Sequence, residues 1–326
     1  MAFLEIQNLK KYFETPAGLL HAVDDVSFKI EKGKTIGVVG ESGCGKSTLG
    51  KLLIKMLEPT AGKIIFDGQD ITEMSESEYR PLRQRMQMIF QDPYASLNPR
   101  MSVSSLIAEP IKSYRLAKNK ADLNKMVMEL MDTVGLARRL ANSYPHELDG
   151  GRRQRIGVAR ALSLNPEFIV CDEPVSALDV SIQAQILNLL MDLQEDRGLT
   201  YVFITHDLSV VKHVSDEIYV MYLGQIVEKT NTNELFKNTM HPYSKALLSA
   251  IPRPTIHNKE ERILLKGEIT SPINPKPRCR FAPRCPYAVD ECFQTEPEMR
   301  EFGTENHFVK CVRVEELMKE VIKIED

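Results

Sequence analysis

The chain has 326 residues, 43% hydrophobic and 27% charged, with a net charge of -3 at pH 7. That is ample apolar material for one large domain or two ordinary ones, and the charge balance gives no sign of nucleic acid as a partner. No run approaches the ~18 apolar residues of a membrane span. Met1-Ala2-Phe3-Leu4-Glu5 has neither the basic nor the apolar segment of a secretory signal, so the expected address is the cytoplasm. Of the 6 cysteines, Cys44 and Cys171 stand alone and the other four lie in the last fifth of the chain. In a cytosolic protein such a cluster reads as metal ligands rather than disulfides.

In chain order, short strands are predicted over Phe3 to Leu9, Leu20 to Val26, Val26 to Ile30 and Thr35 to Val39. Thr35-Ile36-Gly37-Val38-Val39 is a continuous apolar run, as in a buried parallel strand. A glycine-rich loop follows, then a helix over Ser47 to Leu57 that Pro59-Thr60-Ala61-Gly62 ends, and a strand over Lys63 to Phe66. A helical region occupies about 96–165, with helices over Asp122 to Val134 and Gly150 to Leu164. Two strand–helix units come next: Glu167 to Cys171 with Ile182 to Asp196, and Tyr201 to Thr205 with Leu208 to Val214. Strands alternating with helices imply a parallel sheet and an α/β fold. Beyond about Glu234 the composition changes, with prolines at 242, 252, 254, 272, 275, 277, 283, 286 and 297. This stretch reads as an extension without a large core of its own.

Gly40-Glu41-Ser42-Gly43-Cys44-Gly45-Lys46-Ser47, with Thr48, matches the Walker A pattern in full, with a buried strand before it and a helix after it. Glycines let backbone N–H groups curl around phosphate oxygens, and the helix N-terminus adds its dipole. Lys46 is positioned by the motif to reach the β- and γ-phosphates of ATP, and Ser47 to ligate Mg²⁺. Phe168-Ile169-Val170-Cys171-Asp172-Glu173 is an apolar strand ending in two acids. Asp172 is suited to hold Mg²⁺ and Glu173 to orient the attacking water.

Three further segments are weak alone and specific together: Gln91 before Asp92-Pro93, Leu148-Asp149-Gly150-Gly151-Arg152 opening a helix, and His206 after the last core strand. In this order the chain resembles the ATP-binding cassette ATPases over residues 1–235. The resemblance implies a RecA-like P-loop NTPase core with an N-terminal antiparallel β subdomain, an inserted helical subdomain at about 96–165 and a Cys-rich C-terminal extension over 236–326. It further implies that two cassettes pair head to tail, ATP lying between the Walker A loop of one and the signature (here 149–151) of the other. Gln91 would then sense Mg²⁺ and water, His206 would contact the γ-phosphate, and Ser176-Ala177-Leu178-Asp179 would be the D-loop. Phe13, with Tyr12 beside it, would stack on adenine; the alternative is that both simply pack on the N-terminal sheet.

His241-Pro242-Tyr243-Ser244-Lys245-Ala246-Leu247-Leu248, Gln91 to Arg100 and Tyr144-Pro145-His146-Glu147 make the dipeptide/oligopeptide (and nickel) importer subfamily the best match. That resemblance implies a second, homologous ATPase subunit, two integral-membrane permease subunits docked on 96–165, an external solute-binding protein, and a place on the cytoplasmic face of the membrane. Cys279, Cys285, Cys292 and Cys311 are separated by 5, 6 and 18 residues. The spacing lacks a Cys-x₂-Cys knuckle and selects no metal. The residues alone suggest zinc, whereas the subfamily resemblance implies a structural [4Fe–4S] cluster.

The family signature usually reads Leu-Ser-Gly-Gly-Gln; here it is Leu148-Asp149-Gly150-Gly151-Arg152, with Asp149 in place of the serine. An ionised Asp only accepts hydrogen bonds, and at ~4 Å from a phosphate charge, with an effective dielectric of ~20, it costs about 4 kcal/mol before compensation. Arg152, Arg153 and Arg155 are candidates to offset it. Two readings follow: a heterodimer with unequal ATP sites, or Asp149 as an N-cap without catalytic consequence.

Overall fold

The computed structural model describes residues 2–251, 263–265, 267 and 271–317; Pro252 and Pro254 lie outside them. The chain opens with strands β1 (Leu4–Thr15), β2 (Gly18–Ile30) and β3 (Thr35–Val39), helix α1 (Lys46–Leu53), and strands β4 (Ala61–Phe66) and β5 (Gln69–Asp70). Helix α2 (Glu76–Arg85), strand β6 (Met86–Ile89), and helices α3 (Pro93–Ser96), α4 (Val103–Ser113), α5 (Lys120–Thr133) and α6 (Gly150–Leu162) follow. Then come β7 (Phe168–Asp172), α7 (Val180–Arg197), β8 (Thr200–Thr205), α8 (Leu208–Val214), β9 (Glu217–Tyr222), β10 (Gln225–Asn231), α9 (Thr232–Lys237), α10 (Pro242–Ser249), β11 (Arg300–Glu301) and β12 (Phe308–Val309). Two compact units share these elements, one built from 1–30, 35–72 and 204–326 and the other from 31–34 and 73–203.

The first unit contains an antiparallel sheet in the order β2-β1-β4-β5. Its β2 ends in Val26-Ser27-Phe28-Lys29-Ile30, alternating buried and exposed, the period expected of a strand with one face covered. The same unit holds the run β11-β12-β10-β9-β3. Here β3 pairs parallel with β9, from Ile36↔Glu217 to Val39↔Val220, and β3 is buried throughout. The extension is not a separate layer: β12 pairs with β10 at Glu228↔Val309. Its Tyr243, Leu248 and Phe281 join Val39, Val220 and Tyr222 in one apolar cluster. Burying each such side chain contributes about 1.5–3 kcal/mol. The extension thus completes the core of the unit that carries the glycine-rich loop.

In the second unit β8 lies beside β7, and β7 beside β6. The β6–β7 pairing is parallel, from Met86↔Phe168 to Ile89↔Cys171, and helix α4 packs against α5 and α6. Side chains of Ser75, Ser102 and Asn119 cap the N-termini of α2, α4 and α5, satisfying donors that a helix start leaves orphaned.

Several boundaries differ from the expectations. β1 and β2 are single long strands, and β1 is kinked by a register shift near Asn8, which has φ 46°. Helix α1 ends at Leu53 rather than Leu57, because Lys55 turns left-handed at φ 51°. Helix α2 and the β9–β10 hairpin were not expected.

Candidate functional site

In the first unit the glycine-rich loop links β3 to α1. Two of its glycines are required by close backbone approach. A Cβ on Gly40 would lie 2.1 Å from the Met221 carbonyl oxygen, and one on Gly45, at φ 107°, would lie 2.0 Å from that of Ala22. Lys46 is 5% exposed; its Nζ donates to the Gly40 and Glu41 carbonyls at 2.8 and 3.0 Å. The ammonium therefore closes the loop onto itself. Cys44 is buried, and burial pushes its thiol pKa up, so it packs under the loop as a neutral group. Helix α1 begins at Gly45 with no side-chain cap. Each of the other α-helices among the described residues begins with a capping side chain. Ser47 and Thr48 stand in the first turn of α1, at the helix end whose dipole favours an anion.

The same unit places the two aromatics differently. The Tyr12 ring stacks on His21 with centroids 3.8 Å apart, and its hydroxyl donates to Asp24 Oδ1 at 2.5 Å. Asp24 also meets His21 Nδ1 at 3.0 Å and the Arg280 guanidinium. Burial works against the Asp24 carboxylate, but hydrogen bonds from Tyr12 and His21 and the charge and hydrogen bond of Arg280 outweigh it and hold the pKa at about 2. Lys11 Nζ lies over the Phe13 ring, 5.1 Å from the centroid. His206 follows β8 on an exposed turn whose next residue, Asp207, caps α8 through the Ser209 N–H at 2.8 Å.

In the second unit the β6–β7 register explains a contact. Ile89 is level with Cys171 in the parallel pair, and Gln91 and Glu173 each lie two residues beyond that pair, just past the strand ends. Gln91 Nε2 donates to Glu173 Oε2 at 2.9 Å. Asp172 is 4% exposed at the end of β7. Glu173 has φ 44°, a left-handed conformation that costs a residue with a side chain on the order of 1–2 kcal/mol. Such strain is common where a side chain must be aimed. The Glu173 carbonyl accepts from the Ser176 N–H and hydroxyl at 3.3 and 3.2 Å, starting the turn that leads to Asp179. Asp179 caps α7 through the Ile182 N–H at 3.0 Å, a bond that lowers its pKa.

The signature segment opens α6. Asp149 is its N-cap: Oδ1 accepts from the Arg152 N–H at 2.8 Å, and Oδ2 lies 3.4 Å from Arg152 Nε. Gly150 and Gly151 leave room for the D-loop segment, since a Cβ on Gly151 would lie 2.6 Å from Ile182 and one on Gly150 3.0 Å from Leu178. Of the three arginines considered as compensation, only Arg152 faces the carboxylate. Arg153 donates to the Pro145 carbonyl at 2.7 Å and covers the Tyr94 ring, and Arg155 donates to the Val134 carbonyl at 2.5 Å.

The four clustered cysteines line one small pocket with His241, Pro242, Phe281 and Leu317. Burial raises the thiol pKa of Cys279, that of Cys285 to about 11 and that of Cys311 to about 12. Among the described residues, no three His, Cys, Asp or Glu side chains converge closely enough to hold a metal as they stand.

Residues 23–176 match the "ABC transporter" family model, and residues 227–292 match "Oligopeptide/dipeptide transporter, C-terminal region". The oligopeptide transport ATP-binding protein AppF of Bacillus subtilis is 52% identical over 94% of this chain and 96% of its own. OppF of Salmonella typhimurium, also an oligopeptide transport ATP-binding protein, is 50% identical over 96% and 94%. The chain belongs to the ABC transporter family. Among solved structures, the dimeric ATP-binding cassette MJ0796 bound to ADP and Pi is 28% identical with a TM-score of 0.65, covering 70% of this chain and 98% of its own. The α/β cassette fold and ATP as ligand follow from this membership. The cassette motifs were legible in advance. The long-range partners of Glu41 and Asp24 were not, because Arg284 and Arg280 lie 243 and 256 residues away.

Proposed function

We propose that the chain is the ATP-hydrolysing subunit of an importer of di- or oligopeptides. The observation that carries this reading is that one chain holds a complete phosphate loop and a hydrogen-bonded Gln91–Glu173 pair, and that its extension matches the oligopeptide/dipeptide transporter C-terminal region. Gly40 to Thr48 would bind the phosphates of ATP, with Ser47, Gln91 and Asp172 holding Mg²⁺. Glu173 would polarise the attacking water, with Gln91 holding its carboxylate in place, and His206 would contact the γ-phosphate. Phe13 is the better adenine platform, because Tyr12 is already engaged by His21 and Asp24. Residues 149–151 and Asp179 would complete the site of a second, homologous ATPase subunit. The helical region at about 96–165 would dock on two integral-membrane permeases at the cytoplasmic face, and an external binding protein would deliver solute. Among the described residues no helix is long and apolar enough to cross a membrane, and nucleic acid has no part in this reading.

For the extension we infer that Cys279, Cys285, Cys292 and Cys311 would hold a [4Fe–4S] cluster, zinc being the alternative. Four thiols are the ligand type that either takes, and these four line one pocket, within which they would have to draw closer to bind it. Because burial holds three of them neutral, a bound cation would supply the charge that ionises them. Brown colour in anaerobically purified protein supports iron–sulfur, and stoichiometric zinc in a colourless protein contradicts it.

Reconstitution with the permeases in vesicles tests the function. Labelled oligopeptide should accumulate only with ATP and only when Glu173 is intact. Uptake of Ni²⁺ or an oligosaccharide in place of peptide would overturn the solute assignment.

A further inference from the structure

We propose that the C-terminal extension shapes the ATP site of its own chain, with Arg284 and Tyr243 acting as positioning residues for the phosphate loop. This rests on the reading of residues 40–48 as the ATP-phosphate site. The Walker A pattern leaves the residue after Gly40 unspecified, and here it is Glu41, a carboxylate inside a loop built for a polyanion.

The extension grips that residue at both its side chain and its backbone. Arg284 Nη1 and Nη2 donate to Glu41 Oε2 and Oε1 at 2.6 and 3.0 Å, a bidentate charge-assisted pair. The Glu41 N–H donates to Tyr243 Oη at 2.8 Å. The Arg284 side chain is 8% exposed and that of Glu41 22%, so water screens the pair poorly. Tyr243 is held in a cluster with Tyr222 and Phe281, ring centroids 4.6 and 5.4 Å away. Arg280, four residues before Arg284, anchors the same segment through Asp24 and through the Leu223 carbonyl at 2.5 Å.

Two physical consequences follow. Pairing with Arg284 neutralises a carboxylate that would otherwise repel the phosphates. Fixing the Glu41 backbone holds, before ATP arrives, the carbonyl that Lys46 leans on at 3.0 Å, so less ordering remains for binding to supply. A purely structural Arg284 would lower the melting temperature and leave nucleotide affinity alone. The positioning role predicts a change in affinity that removal of the Glu41 charge partly reverses.

The test uses the full chain and the fluorescent nucleotide Mg-mant-ATP, with a melting curve for every variant. Arg284→Ala should weaken binding about tenfold or more, Arg284→Lys by less, and Tyr243→Phe about threefold, since a tenfold change corresponds to the strength of one charge-assisted bond. Adding Glu41→Gln to Arg284→Ala should recover part of the loss. In ATPase assays KM should rise with kcat little changed. If Arg284→Ala does not fold, Arg284→Lys and Tyr243→Phe decide. Folded variants that bind within about twofold of wild type would overturn the proposal, as would an Arg284→Ala defect untouched by Glu41→Gln. Failure of the wild-type chain to bind the nucleotide at all would instead strike the reading of the loop itself.

Discussion

Asp149→Ser restores the family's usual signature and separates the two things a carboxylate does at the start of α6. As a cap, Asp149 satisfies the Arg152 N–H at 2.8 Å. Asp149→Ala removes that acceptor and should cost about 1 kcal/mol, a fall of roughly 2–4 °C in melting temperature for a unit of this size. Asp149→Ser keeps an acceptor and should melt with wild type. As a charge, the carboxylate would, in the proposed pairing of cassettes, face the nucleotide bound by the partner. The unscreened cost of about 4 kcal/mol at ~4 Å is reduced by Arg152 Nε at 3.4 Å and by side chains that are 59% and 49% exposed. About 1–2 kcal/mol is expected to remain, roughly a tenfold effect. The assay is ATP-driven dimerisation followed by sedimentation in a Glu173→Gln background, where ATP persists. Asp149→Ser should shift the dimerisation midpoint to about tenfold lower ATP. An unchanged midpoint refutes the charge argument, and an Asp149→Ala variant that melts with wild type refutes the cap.

Two other predictions concern the loop and its surroundings. Gly45→Ala should fold yet fail to bind nucleotide in an isothermal titration, because its Cβ would sit 2.0 Å from the Ala22 carbonyl at φ 107°; wild-type affinity would show that the loop has room the geometry denies. Asp24 has a folded pKa of about 2 against an ordinary 3.8. Its contribution, about 2 kcal/mol, is therefore present above the unfolded pKa and lost as pH falls from about 4 towards 2. Asp24→Asn should flatten the acid limb of a stability-versus-pH curve over that interval; an unchanged limb would show that the Tyr12–His21–Arg280 cluster does not select the charged form.

The sites built from short segments were legible in the sequence, because their chemistry and backbone needs are local. Gly40, Glu173 and His206 directly follow core strands, Asp172 ends one, and Gly45 and Lys46 lie in the loop and helix start after β3; an apolar run announces each strand. Gln91 and Glu173 could be named separately, but their contact depends on the β6–β7 register, which no local pattern encodes. The β9–β10 hairpin escaped notice because its two turn residues, Leu223 and Gly224, both have positive φ, at 43° and 86°, and a leucine there hides the turn signal. The extension looked short of core because its apolar residues are scattered among prolines. Tyr243, Leu248 and Phe281 find their partners on β3, β9 and the β9–β10 turn, contacts visible only in the folded chain. Compensation of Asp149 by three arginines was legible only as a possibility: two of the three are occupied by backbone carbonyls.

The central claim is that Glu173, held by Gln91 at 2.9 Å, drives hydrolysis of ATP bound at the Gly40–Thr48 loop. Steady-state phosphate release by the wild-type chain and Glu173→Gln, with nucleotide affinity measured in parallel, tests it most directly. The account predicts a fall in kcat on the order of 10²–10⁴-fold with ATP affinity retained. A Glu173→Gln variant that hydrolyses ATP at the wild-type rate would contradict it.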